Sequence, residues 1–400
     1  MTNITPVKSA RLTYEGSVKR VWQPTYRADC LWFEFTDDYS VFDWGKMPDT
    51  IANKGKALTL IGAAFFERFS QAELWEKLPQ SAFNNIDRDW LKTVWTWAEY
   101  AEFRKTGPRS HFKGLTNPDG QRMTIVEAAW TSSPVYMEVL RAEVNHPNPA
   151  VVLGQTIYHY EHKPSKTKAP RLIPLEVVFR FGMPSGSSLK ERLDKDPDYM
   201  QVLGLETLPE EGKMFDRPVL EFFTKLEPKD RLLSVQEALL ISGLTPRQFE
   251  SLARRATLYA LALYAEFNKK NLELWDGKFE FILDGDDILL ADSIGPDELR
   301  LLVGPHQLSK EMIRQVYRDS KWAKSLKEAQ KIAANRQQHD WKVICKEELQ
   351  STPEPLPAEF KKIVDRLYGV LANEVAEQQL FADHPSLEKF VASIPSVQKS

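Results

Sequence analysis

The stretch from Leu272 to Arg300, LELWDGKFEFILDGDDILLADSIGPDELR, constrains the fold of this chain more than any other. Its first half alternates as a β-strand does, so that Asp276, Lys278 and Glu280 share one face and two phenylalanines occupy the other. An Asp-Gly pair then predicts a tight hairpin turn, because glycine accepts a positive φ. The returning apolar strand ends at Asp292. The sequence therefore predicts that three carboxylates and one amine meet at one end of a hairpin.

Such a cluster has two interpretations. Carboxylates held close together repel each other unless a cation lies among them, and a lysine beside them suits an anionic substrate. Alternatively, the charged residues form an ordinary solvated strand face, and Asp-Gly is common turn chemistry. The hairpin by itself leaves both interpretations open.

The composition predicts an ordinary globular protein. The chain has 400 residues, of which 42% are hydrophobic and 27% charged, which allows two to three domain-sized units and a sizeable core. A net charge of −3 argues against nucleic acid or a membrane surface as partner. Two distant cysteines, Cys30 and Cys345, indicate a reducing compartment rather than a disulfide framework or a zinc site. With neither a signal peptide nor a membrane-spanning run in the sequence, a cytoplasmic location is predicted.

Residues 10–35 predict three short strands, with a turn at Glu15-Gly16 followed by Ser17 and Lys19. Backbone N–H groups in such a turn, together with the lysine, can hold phosphates. Glycine turns followed by lysine are nevertheless common in strand connections of every kind. Neither GxxxxGK[ST] nor GxGxxG occurs in the chain, which argues against a P-loop or a dinucleotide-binding fold.

Residues 71–150 differ from the rest of the chain in amino-acid composition and in hydrophobic pattern. Five of the eleven tryptophans lie here, and proline and asparagine interrupt the pattern repeatedly. We predict a mostly helical, tryptophan-rich insertion. The aromatic side chains could form a binding surface, but a packed core is the favoured interpretation, since aromatics dominate core energetics.

Two later strands are predicted to end near cations. Residues 172–181 form one of them, with Arg180 near its end, and Ser187 downstream is placed to begin a helix, where free N–H groups bind anions. A plain helix cap with Arg180 in a surface ion pair fits the same residues equally well. Residues 218–225 predict another strand, which ends on Lys225.

Two helical segments flank the hairpin. The motif TPRQ at residues 245–248 predicts a helix start with a capping box, and an apolar stripe continues to Asn271. Beyond the hairpin, Lys310, Arg314 and Arg318 fall on a second helical segment. A solvated charged face is the plain interpretation of those three residues.

Taken together and in order, these motifs resemble the SAICAR synthetase family, the phosphoribosylaminoimidazole-succinocarboxamide synthases of purine biosynthesis. The motifs are LTYEGSVKRVW, FTDDYSVFD with NKGKAL, PLEVVFR with GSSLKER, FFTK, WDGKFEF with LADSIGPDELRL, and SKEMIRQVYRD. Each is weak alone, but their order is specific. The resemblance covers residues 10–70, 151–320 and a C-terminal helix near 355–380.

The resemblance implies a fold and a reaction. The implied fold is α+β and two-lobed, with an N-terminal antiparallel β lobe, an α/β C-terminal lobe and ATP in the cleft between them. The implied reaction joins the carboxylate of CAIR to the amine of L-aspartate at the expense of ATP, giving SAICAR, ADP and phosphate, with Mg²⁺ as cofactor. The implied partners are therefore small molecules, namely CAIR, L-aspartate and ATP. A homo-oligomer is also possible, whereas nucleic acid and membrane are not expected.

The resemblance also implies roles for individual residues. Those implied to bind ATP are Gly16, Ser17, Lys19 and Lys225. Those implied to hold the ribose phosphate are Arg180, Ser187, Arg300, Lys310 and Arg318. Those implied as catalytic residues beside the substrate carboxylate are Asp276 and Lys278. Those implied as metal ligands are Glu280 and Asp292.

The chain departs from the family pattern at three positions of interest. The family usually has lysine at Ser17, asparagine at Phe181 and a second acid at Ser293. Loss of that acid would weaken the metal site or shift its ligands. Together with the tryptophan-rich insertion, the substitutions at Phe181 and Ser293 motivate one alternative, a related ATP-dependent amide ligase with a different amine or carboxylate substrate. A non-catalytic nucleotide-binding paralogue is the other alternative, and retention of the charged hairpin residues argues against it.

The motif order predicts five parts of the chain. They are a β-rich nucleotide-binding lobe (1–70), the helical insertion (71–150), the remainder of the β lobe with the substrate-phosphate motif (151–225), a catalytic lobe (226–322) and a C-terminal helical extension (323–400).

Overall fold

The computed structural model describes residues 9–81, 83–162, 169–336 and 340–395, which form two main antiparallel sheets covered by helices. The strands of the first sheet are β1 (Ala10–Glu15), β2 (Lys19–Pro24), β3 (Cys30–Phe35), β4 (Phe112–Thr116), β5 (Arg122–Met123) and β6 (Tyr136–Leu140). Their order is β1-β2-β3-β6-β4-β5, with every neighbouring pair antiparallel. The three strands predicted at the N-terminus are confirmed.

The second sheet carries the hairpin. Its strands are β9 (Arg171–Met183), β10 (Lys213–Thr224), β11 (Leu232–Leu233), β12 (Glu273–Asp284), β13 (Asp287–Ala291), β14 (Leu299–Val303) and β15 (His306–Gln307). Their order is β11-β10-β9-β12-β14-β15, and β13 pairs with β12. A separate two-stranded hairpin consists of β7 (Asn148–Val152) and β8 (Gln155–His159). The predicted strands that end near Arg180 and Lys225 are confirmed as β9 and β10.

Helices cover both sheets. They are α1 (Lys54–Phe69), α2 (Ala72–Lys77), α3 (Arg88–Val94), α4 (Ala98–Thr106), α5 (Ile125–Trp130), α6 (Ser188–Lys195), α7 (Tyr199–Val202), α8 (Val235–Ser242), α9 (Pro246–Asn268), α10 (Lys310–Arg318), α11 (Lys321–Asn335), α12 (Trp341–Val343), α13 (Ala358–Ala376) and α14 (Leu387–Ser393). A 3₁₀ turn at Leu78–Gln80 and a π-helical turn at Ile344–Glu348 complete the helical structure of the described residues.

Residues 71–150 are only partly the helical insertion that the sequence predicts. The helices α2 to α4 lie between residues 72 and 106, but β4, β5 and β6 follow and join the first sheet, where β6 pairs with β3. Because β6 is buried on both faces, its sequence YMEVL lacks the alternation of a half-exposed strand. Trp75 is fully buried against Phe103 and Tyr259, in agreement with the core interpretation, whereas Trp130 is exposed.

Residues 151–225 also differ from their predicted place. The sequence assigns them to the remainder of the N-terminal β lobe, but β9 and β10 belong to the second sheet, where β9 pairs directly with β12. Local strand patterns specify that a segment is extended and leave its partner to tertiary packing. The placement of β9 matters for the site, because it puts Arg180 opposite Asp276.

One continuous hydrophobic core joins the two sheets. Helix α1 is buried almost all round, and α13 packs along it. Helix α9 begins with the predicted capping box at Thr245 and Gln248 and packs against β12 with its apolar residues. The predicted α+β class, with an antiparallel N-terminal lobe and a larger mixed C-terminal lobe, is confirmed. Across the part of the chain that the structure describes, no helix has both the length and the hydropathy of a membrane span.

Candidate active site

The hairpin has the predicted register. Strands β12 and β13 pair from Glu280–Ala291 to Asp284–Asp287, and Gly285 adopts φ +65° in the turn between them. The phenylalanine face of β12 lies in the core, whereas Asp276, Lys278 and Glu280 lie on the opposite face. The strand therefore presents acid, amine and acid in sequence on one face of the second sheet.

The neighbouring strands add partners that complete a row of alternating charges. The Nζ atom of Lys278 lies 2.8 Å from a carboxylate oxygen of Glu176 on β9. The Nζ atom of Lys225, just after β10, lies 2.9 Å from Glu176 and 2.6 Å from Glu280. Burial would lower the pKa of both lysines, but the acids around them outweigh it and raise the pKa of Lys225 and of Lys278. Both amines are therefore charged at neutral pH.

Asp292 closes the row at the lobe boundary. Its carboxylate forms an ion pair with Lys19 of β2, whose amine also lies 4.4 Å from the Phe33 ring centroid. The backbone of Asp292 has φ +64°, a conformation that a residue with a side chain adopts at a cost. Burial opposes ionisation of Asp292, but Lys19 and Lys225 outweigh it and lower its pKa. Lys19 thus connects the first sheet to the hairpin of the second.

Glu280 and Asp292 are the two predicted metal ligands, and they lie close enough for their charges to interact. Burial, followed by the negative charge of Asp292, raises the pKa of Glu280 despite the nearby Lys225. A cation beside the two carboxylates would relieve that repulsion. The described ranges contain no group of three or more His, Cys, Asp or Glu side chains able to hold a metal. Two carboxylates alone suit Mg²⁺, which usually takes one or two from the protein and fills its other positions with water and substrate phosphates.

Asp276 lies among guanidinium groups. Arg180 donates from Nη1 to Asp276 at 3.1 Å and from Nε to Glu221 at 2.5 Å. Arg300 places Nε 3.5 Å from Asp276, while its buried Nη1 has no hydrogen-bond partner among the described residues. Arg180 is therefore occupied by two carboxylates, whereas Arg300 keeps hydrogen-bonding capacity for a ligand. Phosphate binding by Arg180 stays a prediction.

The predicted phosphate residues Ser187 and Arg318 are brought together. Ser187 caps α6, and its hydroxyl accepts a hydrogen bond from the Leu189 N–H at 3.3 Å. Gly186, with φ +74°, lies under Arg318, since a Cβ there would come within 2.8 Å of the Arg318 Nη1. Glu311 pairs with Arg318 and holds it over this turn. A helix start with a guanidinium above it suits a phosphate dianion.

Lys310 and the first hairpin complete the predicted set. Burial lowers the pKa of Lys310, which lies near Asp297 and the guanidinium of Arg314. Gly16 and Ser17 form the turn between β1 and β2, where the Gly16 N–H donates to the Lys19 carbonyl at 2.8 Å. That turn adjoins the strand that delivers Lys19 to Asp292. The roles of these residues toward ATP and substrate stay predictions.

The sequence analysis did not single out several residues at the site. Glu176 and Glu221 each form ion pairs with two basic side chains. Counting alternate residues along the strands would have placed Glu176 on the same face of β9 as Arg180, and Glu221 on the same face of β10 as Lys225. Asp230 lies in the loop after β10, the Asp-containing loop that follows FFTK in the sequence. Burial, together with the charge of Glu176, raises the pKa of Asp230 to about 6.

His111, just before β4, is also unanticipated. The backbone N–H of His111 donates to the Leu290 carbonyl of β13 at 3.0 Å, and the backbone carbonyl of His111 accepts from the Leu140 N–H of β6 at 2.7 Å. The ring is buried against Phe33 and Phe66, and Nε2 has no hydrogen-bond partner among the described residues. The residue thus bridges the first sheet and the strand that ends at Asp292.

The titration of His111 gives a testable effect on stability. Burial lowers its pKa to about 3, whereas an unfolded histidine titrates near 6.5. As the pH falls from 7.5 to 5, the unfolded chain gains a proton here that the folded chain does not, so stability falls. We expect this to remove about 2 kcal/mol of unfolding free energy by pH 5. Urea unfolding without divalent cations should show this loss in the wild type but not in His111→Gln, and parallel pH profiles for the two proteins would contradict it.

Fold and site together define an enzyme that acts on anionic substrates. Both lobes contribute to one row of charges, with Lys19 from the first sheet and Lys278 from the second. Buried acids with opposed pKa shifts lie beside amines, and one guanidinium nitrogen of Arg300 has no partner within the described ranges. Such a combination of buried acids and charged amines is typical of catalytic sites for charged substrates.

The chain belongs to the SAICAR synthetase family, whose sequence model matches residues 12–330. A relative named putative phosphoribosylaminoimidazole-succinocarboxamide synthase, from Archaeoglobus fulgidus, is 31% identical over 389 residues, covering 96% of this chain and 99% of that protein. The phosphoribosylaminoimidazole-succinocarboxamide synthase of Thermoplasma acidophilum is 29% identical over 235 residues, covering 56% of this chain and 73% of that protein.

Solved structures agree with the fold. The SAICAR synthase from Saccharomyces cerevisiae, solved with SAICAR, matches with a TM-score of 0.51 and 19% identity, covering 93% of this chain and 96% of that one. A second SAICAR synthase structure matches with a TM-score of 0.50 and 18% identity, covering 95% and 99%. The resemblance stated from the motifs is confirmed. The protein is an ATP-dependent carbon–nitrogen ligase of purine biosynthesis.

Proposed function

We propose that this chain joins the carboxylate of CAIR to the amine of L-aspartate at the expense of ATP, giving SAICAR, ADP and phosphate. The position of Lys278 carries the proposal. Its amine lies on the β12 face between two sets of charges, Asp276 with Arg300 on one side and Glu280 with Asp292 on the other. At that point the amine would lie between a substrate bound near Arg300 and a nucleotide bound near Glu280 and Asp292.

The proposed chemistry has two steps. An oxygen of the CAIR carboxylate attacks the γ-phosphorus of ATP, which forms an acyl phosphate and releases ADP. The amine of aspartate then attacks the acyl carbon and gives up a proton as phosphate leaves. Phosphoryl transfer between two anions depends on positioning and on neutralised charge more than on covalent help from the protein. Lys278 supplies that charge at the substrate carboxylate, with Asp276 beside it.

On the nucleotide side, Gly16 and Ser17 contribute the turn that lies beside the phosphates, and Lys19 and Lys225 contribute amines. Both amines already neutralise carboxylates at the hairpin end, since Lys19 pairs with Asp292 and Lys225 lies 2.6 Å from Glu280. Binding of ATP in the cleft between the lobes would let each lysine share its charge with a phosphate.

Mg²⁺ is proposed at the two carboxylates of Glu280 and Asp292. When bound, the ion supplies positive charge to the nucleotide phosphates. The two carboxylates would bind and orient it, and water and the nucleotide phosphates would fill its other positions. The closeness of the two buried carboxylates supports this assignment, because burial and the negative charge of Asp292 raise the pKa of Glu280 and a cation beside the pair would relieve that repulsion.

On the substrate side, the ribose phosphate of CAIR is proposed to lie at the start of α6. The residues assigned to it are Arg180, Ser187, Arg300, Lys310 and Arg318. Two observations support the assignment: Arg300 Nη1 has no hydrogen-bond partner in the described part of the chain, and Arg318 lies close to the Gly186 turn. Arg180 also holds Asp276 in place through its own hydrogen bond.

An omission assay tests the reaction. Purified protein is incubated with ATP, Mg²⁺, CAIR and L-aspartate, and ADP release and SAICAR formation are measured with each component left out in turn. We expect SAICAR only in the complete mixture. Sustained SAICAR formation without ATP, or none in the complete mixture, would contradict the proposal.

A related ligase with another amine or carboxylate substrate is the second candidate. Phe181, where the family usually has asparagine, is fully buried with its ring 4.6 Å from that of Tyr264, so this position offers no polar group to a substrate. ADP release that requires CAIR but not aspartate would favour this candidate. ATP binding without any turnover would favour a non-catalytic paralogue.

Asp292→Asn tests the proposed metal site. Removing one of two carboxylates should raise the Mg²⁺ concentration for half-maximal activity by about 10- to 100-fold. Substitution of residues that only hydrogen-bond to metal ligands already lowers metal affinity by about that factor. The matched control is Asp284→Asn at the other end of the hairpin, where the carboxylate pairs with Arg109 at 2.6 Å. Equal Mg²⁺ dependence in wild type and Asp292→Asn would remove Asp292 from the site.

Two features of the protein's setting stay predictions. The first is a cytoplasmic location, with which the buried cysteines Cys30 and Cys345, free of any disulfide, are consistent. Assembly into a homo-oligomer is the other, and light scattering of the purified protein measures it directly.

A further inference from the structure

The loop of residues 292–300 carries proposed active-site residues at both ends. Asp292 follows β13, and Arg300 lies in β14 opposite Asp276. Between them, the Glu298 carbonyl accepts a hydrogen bond from the Lys278 N–H at 3.2 Å. Any movement of this loop would therefore shift the nucleotide side and the substrate side of the site together.

Asp297 anchors the middle of the loop from two directions. Lys54, at the start of α1, places Nζ 2.7 Å from Asp297 Oδ2, and Tyr368 of α13 donates from its hydroxyl to Asp297 Oδ1 at 2.7 Å. The Lys54 amine also lies 5.4 Å from the centroid of the Tyr368 ring. All three groups are shielded from solvent, with exposed side-chain fractions of 1% for Lys54 and 7% for Asp297 and a fully buried Tyr368.

The charge of Asp297 depends on both anchors. Burial alone would raise the pKa of Asp297, but the amines of Lys54 and Lys310 and the hydrogen bond from Tyr368 outweigh it and lower the pKa to about 2. A buried carboxylate that loses one of its donors keeps its charge with poorer compensation. The loop would then relax toward solvent or toward other donors.

Tyr368 lies beyond the residues that the family's sequence model matches. The match covers residues 12–330, whereas α13 spans residues 358–376. Helix α13 packs along α1, the helix that also supplies Lys54. The two anchors of Asp297 therefore move as one packed unit.

We infer that Tyr368 is a positioning residue, through which the C-terminal helix α13 holds the loop of residues 292–300, and with it Asp292 and Arg300, in the geometry for turnover. The inference rests on the proposed function for what the two ends of the loop bind. Helix α13 is in this sense part of the active-site framework and not only an extension.

Tyr368→Phe tests the inference, since it removes one hydroxyl and preserves the ring. Because the loop serves both ligand sides, we expect the KM for CAIR and the Mg²⁺–ATP concentration for half-maximal activity to rise together, each on the order of tenfold. Hydrogen–deuterium exchange should show faster exchange in residues 292–300.

Tyr100→Phe is the matched control, because the buried Tyr100 hydroxyl donates to the Trp75 carbonyl at 3.1 Å, away from the loop. It also removes a buried hydrogen bond and should lower thermal stability, while leaving both kinetic constants and exchange in the loop unchanged. Equal kinetic effects in the two variants, or unchanged exchange in Tyr368→Phe, would overturn the inference. The exchange measurement does not depend on activity, so it separates this outcome from a failure of the proposed reaction.

Discussion

Lys278→Met is expected to lower kcat for SAICAR formation by about 10²- to 10³-fold, the loss typical when one fixed charge that stabilises a transition state is removed. Lys278 is the one predicted catalytic cation on the hairpin face, and the acids beside it keep its amine charged. The fold should persist, because Lys225 still pairs with Glu176 at 2.9 Å. Steady-state kinetics with saturating ATP, CAIR and aspartate measure the loss, and circular dichroism checks the fold.

Two companion variants sharpen that result. Lys269→Met removes an equivalent amine at the end of α9, where Lys269 pairs with Glu266 at 2.5 Å and is half exposed, and it should leave kcat unchanged. Lys278→Arg keeps the charge but changes its shape and should recover part of the activity. Near-normal turnover in Lys278→Met would show that the hairpin is not the catalytic centre.

The second large effect is on stability. Glu221→Gln is expected to lower the free energy of unfolding by about 3–5 kcal/mol, because it breaks a buried ion pair from one side. The Glu221 side chain is fully buried and accepts from Arg180 at 2.5 Å, Arg192 at 2.6 Å and Tyr199 at 2.8 Å. Burial would raise its pKa, but the two arginines outweigh it and lower the pKa, so Glu221 is ionised. Urea unfolding near neutral pH measures the change.

Glu250→Gln provides the control for that measurement. Glu250 pairs with Arg254 at 2.6 Å on α9, but its side chain is largely exposed, so its loss should cost only about 0–1 kcal/mol. If both variants lost the same free energy of unfolding, burial of the Glu221 ion pairs would add no stability beyond that of an exposed ion pair. A small loss in Glu221→Gln would show that Arg180 and Arg192 find other partners when the acid is neutralised.

Local patterns predicted much of the framework. The alternation in WDGKFEF set the two faces of β12, Asp-Gly set the turn, and TPRQ set the start of α9, because each of these signals acts over a few neighbouring residues. The motif order predicted the family, which the match over residues 12–330 confirms. The site roles implied by that order remain to be tested by the variants proposed above.

The sequence did not predict which side chains and strands would contact the predicted site residues. Arg180 was expected to hold phosphate, but the fold places Glu221 and Asp276 against it. The YMEVL strand and His111, both within the supposed helical insertion, complete the first sheet and brace β13. Buried strands lack alternation, and residues far apart in sequence leave no local sign that they will meet.

The sequence by itself determined the hairpin that carries Asp276, Lys278 and Glu280, since period-two alternation and a glycine turn are properties of a short segment. Only the tertiary structure decided what those side chains meet. Sheet pairing set β9 beside β12 and so brought Glu176 to Lys278, and packing of α1 and α13 brought Lys54 and Tyr368 to Asp297. The physical reason is that buried charges require close partners, and the partners here come from segments tens to hundreds of residues away.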